Sequence, residues 1–583
     1  MTGSAPRLFG VLAALGDARS PDLIAPDVHR AGSTVVAIAG SPYWSGGERA
    51  PAGRTAEAVA AAYRRSGKQF LERLHGSFAL AIVDTQSRTA LLAVDRMGIE
   101  RITYRLLPGG LAFSTSAEAL ARLDGATPGV RAQGLYDFIF SHMVPGPQTI
   151  FENVMKLPPA SCAHFADGKL TIEPYWRPEF VEHGGDERRL GEELHAALRD
   201  AVRACEPNGR TGAFLSGGLD SSTVAGVLGK VIDGPADTFS MGFGVDAYDE
   251  LRYARIANQH FGARAHEYHV TPEDIVSMFD RIAAAYDEPF GNSSAVPTFY
   301  CAKVAGEHGM KRLLAGDGGD ELFGGNERYA KQRVFEAYYT LPAWLRSGVI
   351  EPLARRVKPE HGIMPLRKFR SYVDQATVRL PARLETWNLV FLTRPEELLA
   401  PDFRAAIDPQ APLRQMQKIY DAAPGNSTLN KMLYYDWYYT LADNDLRKVG
   451  TMCELAGIEV LFPMLDTRVV ELSNRVPPRL KMRGGELRSF YKRAMQGFLP
   501  NEILTKTKHG FGLPFGEWLK SHAQLGELIY GHLSDFKRRG IVRAQFIDEL
   551  IQRHRSGHAS FYGYPIWDFA MLEAWLKSHL RPA

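Results

Sequence analysis

One stretch constrains this 583-residue chain more than any other: Phe214-Leu215-Ser216-Gly217-Gly218-Leu219-Asp220-Ser221-Ser222-Thr223-Val224. An apolar strand runs into paired glycines, then hydroxyl side chains, then an amphipathic helical pattern. Paired glycines let the backbone approach a ligand closely and turn successive N–H groups inward. The helix behind them adds its positive N-terminal end, so the loop suits a phosphate chain. Ser216, Ser221 and Ser222 supply further donors. Asp220 is an anion in an anion-binding loop, a costly placement unless it holds a cation such as Mg²⁺. The stretch is neither a Gly-x-x-x-x-Gly-Lys loop nor a Gly-x-Gly-x-x-Gly fingerprint, so it belongs to a third kind of nucleotide site.

From Arg189 onward, helix, short apolar strand and Gly-rich turn alternate, the pattern of a parallel α/β sheet. Residues 1–175 read instead as an α+β layered unit. Short apolar strands fall at 35–39, 78–83 and 90–94, with a hairpin connection over 84–88. Residues 54–64 and 117–122 carry helical spacing, and residues 8–15 read as a first buried strand. The expected boundary lies near Pro174 and Pro178, giving units over 1–175 and 190–583. Residues 327–450 read as helical, with Tyr338, Trp387, Tyr434 and Trp437 as core aromatics. A net charge of +3, from 69 basic and 66 acidic residues, gives no electrostatic case for nucleic-acid binding. Cys162, Cys205, Cys301 and Cys453 are scattered, which argues against a disulfide scaffold or structural zinc. No apolar run approaches the length of a membrane span. A cytoplasmic protein with neither nucleic-acid nor membrane partners is expected.

The phosphate loop resembles the pyrophosphate loop of ATP pyrophosphatases, which cleave ATP between the α and β phosphates. Further strings follow it: 238–243, Tyr248-Asp249-Glu250, Asp287-Glu288-Pro289-Phe290, Gly316-Asp317-Gly318-Gly319-Asp320-Glu321, 457–466 and Lys506-Thr507-Lys508. In this order they resemble the synthetase domain of the asparagine synthetase family over nearly all of 190–520. The resemblance implies ATP and Mg²⁺ as cofactors, with Asp220 and Asp320 sharing the metal. Leu215, Met241, Phe243, Ala315 and Gly316 would surround the adenosine. Ser216, Gly217, Gly218, Ser221 and Ser222 would hold the phosphates. Lys508 matches the lysine that stabilises α-phosphate charge as pyrophosphate leaves. For Asp317 and Glu321, a catalytic role and a structural one stand level. Lys506 reads as solvent-facing.

Residues 74–84 and Asp95-Arg96-Met97-Gly98 resemble the glutaminase half of the same family, an N-terminal-nucleophile fold of four layers. That chemistry uses a cysteine thiol with its own freed α-amine as general base. Here position 2 is Thr2, Phe9 stands at the cysteine's place, and no cysteine precedes residue 162. Ala39-Gly40-Ser41-Pro42 stands where the family carries an Asn-Gly-Glu substrate loop. The half reads as a degenerate scaffold, and the amine must come from elsewhere.

Two branches of the family close a ring within one substrate: β-lactam and carbapenam synthetases, and lasso-peptide cyclases. Asn444-Asp445-Leu446-Arg447-Lys448, with Gly450-Thr451 where Asp-Arg is usual, resembles the lasso cyclases. That resemblance implies adenylation of an Asp or Glu side chain of a precursor peptide and its joining to the peptide's N-terminal amine. It also implies a leader peptidase and a leader-recognition protein as partners. Asp445 and Glu454 are candidates to accept the amine's proton, and each equally suits a salt bridge with Arg447 or Lys448. The alternatives are a β-lactam-type synthetase, an ammonia-dependent asparagine-synthetase-like amidotransferase, and a peptide-binding pseudoenzyme.

Overall fold

The computed structural model describes residues 7–12, 23–125, 127–245, 248–357, 364–507 and 512–580. Period-two alternation builds the first layers. In the strand Leu74–Asp84, Ala79, Ala81 and Val83 enter one apolar cluster, while Phe78, Leu80 and Ile82 enter another. The same split divides Ala37 from Ile38 in Thr34–Trp44 and Leu92 from Leu91 in Thr89–Val94. One face meets the helix Thr55–Ser66 through Val59 and Ala60. The other meets a second sheet through Leu111 and Phe113.

The first sheet is antiparallel and six-stranded: Lys169–Pro174, Ser161–Ala166, Thr89–Val94, Leu74–Asp84, Thr34–Trp44 and Asp27–Ala31. The second, also antiparallel, orders Phe9–Leu12, Gly110–Ser114, Thr103–Leu107 and Met155–Lys156. Ala112 points from its far face into a core shared with the helices Ala117–Ala121 and Ala132–Ser141. Helix, sheet, sheet and helix form the four layers of an N-terminal-nucleophile-like sandwich.

The remainder is a helix-rich α/β unit around a parallel sheet, ordered Arg264–His269, Asp237–Gly242, Thr211–Phe214, Arg312–Leu314 and Glu459–Leu461. The chain winds outward in opposite directions from Thr211–Phe214 and Arg312–Leu314. That makes a topological switch point at their carboxyl ends, where α/β sheets bind ligands. The helix Leu219–Val231 behind the phosphate loop is buried from Ser221 to Leu228 on every side rather than amphipathic. Among the core aromatics, Tyr338, Tyr434 and Trp437 are buried, but Trp387 is 56% exposed on the helical region's surface. No helix among the described residues is long and apolar enough to cross a membrane.

The Asp287-Glu288 string binds the two halves together. Asp287 accepts from Arg101 at 3.1 Å, Arg447 at 3.0 Å and the Ala117 N–H at 2.8 Å. Glu288 pairs with Lys156 at 2.9 Å and accepts from the Ile150 N–H at 2.9 Å. Burial alone would raise the Asp287 carboxyl, but Arg101 and Arg447 outweigh it and hold the group well below the usual carboxylate range. The stability this contributes is complete above the unfolded carboxylate's pKa of about 4 and is lost as pH falls below it. Asp287→Ala would leave Arg101 and Arg447 buried without their anion, a loss of about 3–5 kcal/mol. Its thermal midpoint at pH 7 should fall by several degrees; an unchanged midpoint would show the cluster to be dispensable.

Candidate active site

A cavity of about 740 Å³ opens at the switch point, with Ser216, Asp220, Asp317, Asp320, Lys448 and Arg488 among its walls. The phosphate loop is pre-shaped by its own side chains. Ser221 Oγ accepts from the Ser216 N–H at 3.2 Å, the two hydroxyls lie 3.0 Å apart, and the Gly218 N–H donates to Ser216 Oγ at 3.3 Å. Gly217 has φ +69°, and a Cβ there would fall 2.5 Å from the Ala254 backbone nitrogen. Only glycine serves at that crossing. Gly218 then caps Leu219–Val231, whose first turn, Leu219 to Ser221, faces the cavity.

The second loop, Gly316 to Glu321, follows Arg312–Leu314 and packs onto the first. A Cβ on Gly319 would lie 2.0 Å from Asp220 Oδ1. This contact carries Asp320 to the same wall as Asp220. Arg488 joins them: one guanidinium nitrogen reaches Asp220 Oδ2 at 2.5 Å and Asp320 Oδ1 at 3.2 Å, and the other pairs with Asp220 Oδ1. A pair of hard carboxylate oxygens facing one cation at a phosphate loop fits Mg²⁺, which takes one or two protein carboxylates and completes its shell with phosphates and water. No cluster of three or more metal-ligating side chains occurs among the described residues.

The opposite wall is anionic and cationic at once. Lys448 Nζ donates to Asp445 at 2.9 Å. Burial opposes the charge on Lys448, but Asp445 and Asp317 outweigh it and raise its pKa. Burial pushes the Asp317 carboxyl up to about 6; Lys448 pulls it down, and Asp445 and Asp220 push it further up. Asp445 ends a π-helical segment, Trp437–Asp445, that runs directly into the helix Leu446–Leu455, which carries Lys448. Such wider turns re-aim side chains out of the regular helical register. Asn444 accepts from the Asn292 side chain at 3.0 Å, and Asn292 also lines the cavity.

Most expected positions thus converge. Leu215, Ser216, Gly218, Asp220, Ser221, Met241, Gly316, Asp317, Asp320, Glu321 and Asp445 all line the cavity. Phe243 lines a small adjoining hollow with Leu215 and Met241. The Gly217 carbonyl faces Lys506, and Ala315 is buried at the sheet end, its N–H bonded to the Leu461 carbonyl. Three expectations need correcting. Ser222 is fully buried beneath the helix and does not line the cavity, because the helix turns it toward the core. Glu454 is exposed, about 13 Å along the helix axis from Asp445, and does not line the cavity either. Lys506 is not solvent-facing: its side chain is 7% exposed, pairs with Glu250 at 2.7 Å and lies over the Tyr253 ring. Lys508 and Thr2 lie outside the described residues. Sequence reasoning missed Arg488 altogether, although the cation that Asp220 demands was a signal for it.

The family model described as Asparagine synthase matches residues 193–577, and that described as Glutamine amidotransferase domain matches residues 47–176. A glutamine-hydrolysing asparagine synthetase of Bacillus subtilis (strain 168) is 24% identical over 89% of this chain and 80% of its own. A putative glutamine-hydrolysing asparagine synthetase of Mycobacterium bovis is 26% identical over 89% of this chain and 79% of its own. Amidase chry2 of Gibberella zeae is 23% identical over 81% of this chain and 75% of its own.

The raised Asp317 pKa has a measurable consequence. A carboxyl whose folded pKa lies above its unfolded value stabilises least when ionised, so its cost grows as pH rises from about 4 to about 6. Asp317→Asn removes that cost. The variant should be about 2 kcal/mol more stable than the parent at pH 8 and no more stable at pH 4. Thermal midpoints at the two pH values test this, and equal midpoints at pH 8 would contradict it.

Proposed function

Because the chain belongs to the asparagine synthase family of ATP-dependent carbon–nitrogen ligases, we propose that it adenylates a substrate carboxylate and passes the acyl group to an amine its N-terminal half does not supply. The observation that carries this reading is the convergence of the Ser216–Ser221 loop, Asp220 and Asp320 on one cavity. The substrate carboxylate attacks the α-phosphorus, and pyrophosphate leaves into the loop's hydroxyls and the helix N-terminus. Mg²⁺, held by Asp220 and Asp320, supplies charge neutralisation on the phosphates when bound. Lys508, by its resemblance to the family's lysine, neutralises the α-phosphate. The amine then attacks the acyl carbon, AMP departs, and Asp317 or Asp445 takes the released proton. Asp317, with a pKa of about 6, is ionised and poised to accept it near neutral pH.

Support for an external amine comes from the N-terminal layers. Phe9, which the family resemblance sets at the nucleophile's place, opens the first strand. Residues 39–42 lie inside the unbroken strand Thr34–Trp44, paired along its length with Leu74–Asp84 in place of a substrate loop. The glutamine-hydrolysing asparagine synthetases among its relatives favour an asparagine-synthetase-like amidation of a small acid, and with no cysteine before residue 162 the amine for it is free ammonia. A second reading is macrolactam formation on a precursor peptide, with a leader peptidase and a leader-recognition protein as partners. It is favoured by the resemblance of Asn444-Asp445-Leu446-Arg447-Lys448 to the lasso cyclases, with Asp445 and Lys448 of that string lining the cavity.

Turnover should yield AMP and pyrophosphate in equal amounts, and ADP as the sole nucleotide product would overturn the adenylation reading. Amine donors separate the finer readings. AMP formation with aspartate and ammonium chloride, but not with aspartate and glutamine, supports the ammonia route. A linear peptide that loses one water without added ammonia supports macrolactam formation. Asp220→Asn and Asp320→Asn should each abolish turnover at limiting Mg²⁺, and Lys508→Met should slow the chemical step by about 10²-fold or more.

A further inference from the structure

Asp220 and Asp320 face the same guanidinium, and that arrangement is built rather than incidental. The Arg488 side chain is 4% exposed, against 19% and 26% for the two carboxylates. Its backbone adopts φ +57°, a left-handed conformation that a non-glycine residue holds only when its surroundings fix it. The guanidinium lies 4.3 Å from the centre of the Tyr491 ring, and Tyr491 is itself anchored by donating to Thr223 Oγ1 at 2.9 Å. A Cβ on Gly325 would strike both Asp320 Oδ1 and Arg488 Cδ, so the turn after the second loop is cut to admit the pair. Arg488 Nε is buried without a hydrogen-bond partner among the described residues. That is an incomplete set of bonds for a group with five donors.

Two carboxylates brought this close repel unless a positive charge lies between them. Arg488 supplies that charge from the chain itself. A divalent ion seeking the same oxygens must expel a bidentate, charge-assisted pair, and Mg²⁺ gives up its water reluctantly. Nucleotide phosphates change the balance. They offer the ion further oxygens and offer the planar fork of the freed guanidinium a bidentate acceptor. Lys492, which also lines the cavity, stands one helical turn from Arg488 and adds to the positive field there.

We infer that Arg488 is a built-in counter-ion for the metal site, so that a divalent cation reaches Asp220 and Asp320 together with the nucleotide and not before it. The inference rests on the reading of the cavity as a Mg·ATP site, and adds an order of binding and a positioning role for Arg488. In this role it holds the two carboxylates in register for the metal and moves to the phosphates when the metal arrives.

Mn²⁺ titration followed by electron paramagnetic resonance tests this on the full-length protein, alone and with α,β-methylene-ATP. The parent should bind Mn²⁺ at least 10-fold more tightly with the nucleotide than without it. Arg488→Met should bind Mn²⁺ alone at least 10-fold more tightly than the parent, and Mg²⁺ alone should raise its thermal midpoint but not the parent's. Arg488→Lys, which keeps the charge without the fork, should fall between the two. If the parent binds Mn²⁺ equally well with and without nucleotide, the inference is wrong, whether or not the variants fold. It is equally wrong if folded Arg488→Met binds Mn²⁺ alone no better than the parent. Failure of the underlying nucleotide reading would look different: the parent would bind no α,β-methylene-ATP at any Mn²⁺ concentration.

Discussion

Asp287 and Glu288 sit side by side in the interior, and the rest of the molecule is arranged around keeping their charges paired. Arg101 and Lys156 come from the sandwich, and Arg447 from the helix that also carries Lys448. Ion pairs buried to this degree add little net stability over an apolar packing, but breaking one leaves an uncompensated charge. Their effect here is registration. They fix the sandwich against the parallel sheet, and through Arg447 they fix the helix that places Asp445 and Lys448 at the cavity. Apolar packing continues the same junction: Phe151 of the sandwich meets Trp575 of the last helix at 5.9 Å.

The cavity repeats the theme at smaller scale. It concentrates Asp220, Asp317, Asp320 and Asp445 around a space meant for a polyanion, and it sets Arg488, Lys448 and Lys506 among them. Each of these three cations is paired with a carboxylate: Arg488 with Asp220 and Asp320, Lys448 with Asp445, and Lys506 with Glu250. Among the described residues eight carboxylates line the cavity against four cations, an excess of negative charge that a divalent cation arriving with the phosphates would offset.

Much of this was legible in the residues. Gly217 and Gly218 after an apolar strand announced a phosphate loop, and at Gly217 no other residue tolerates the backbone crossing. The alternation of short strands with helices after Arg189 announced a parallel sheet, and the Phe78-to-Val83 run announced a two-faced strand. What stayed hidden depended on long-range placement. Arg488 lies 268 residues from Asp220, and nothing in its neighbours marks it. Lys506 resembles an ordinary surface lysine until the Tyr253 ring and Glu250 enclose it. Trp387 has the composition of a core residue, but the short helical turns around it turn it outward. Glu454 failed for the opposite reason: linear proximity to Asp445 along a helix separates residues by 1.5 Å each, and chemistry needs a shared face.

The shared junction also bears on how such a chain could change over generations. A half with no cysteine before residue 162 would seem free to disappear. Removing it here would strip Asp287 of Arg101 and Glu288 of Lys156, and would uncover the Trp575 ring against which Phe151 packs. Each stranded charge alone is enough to destabilise a protein of ordinary marginal stability. No single deletion is therefore neutral, and shortening would require the two carboxylates to be replaced first. The sandwich is held in the chain by what leans on it.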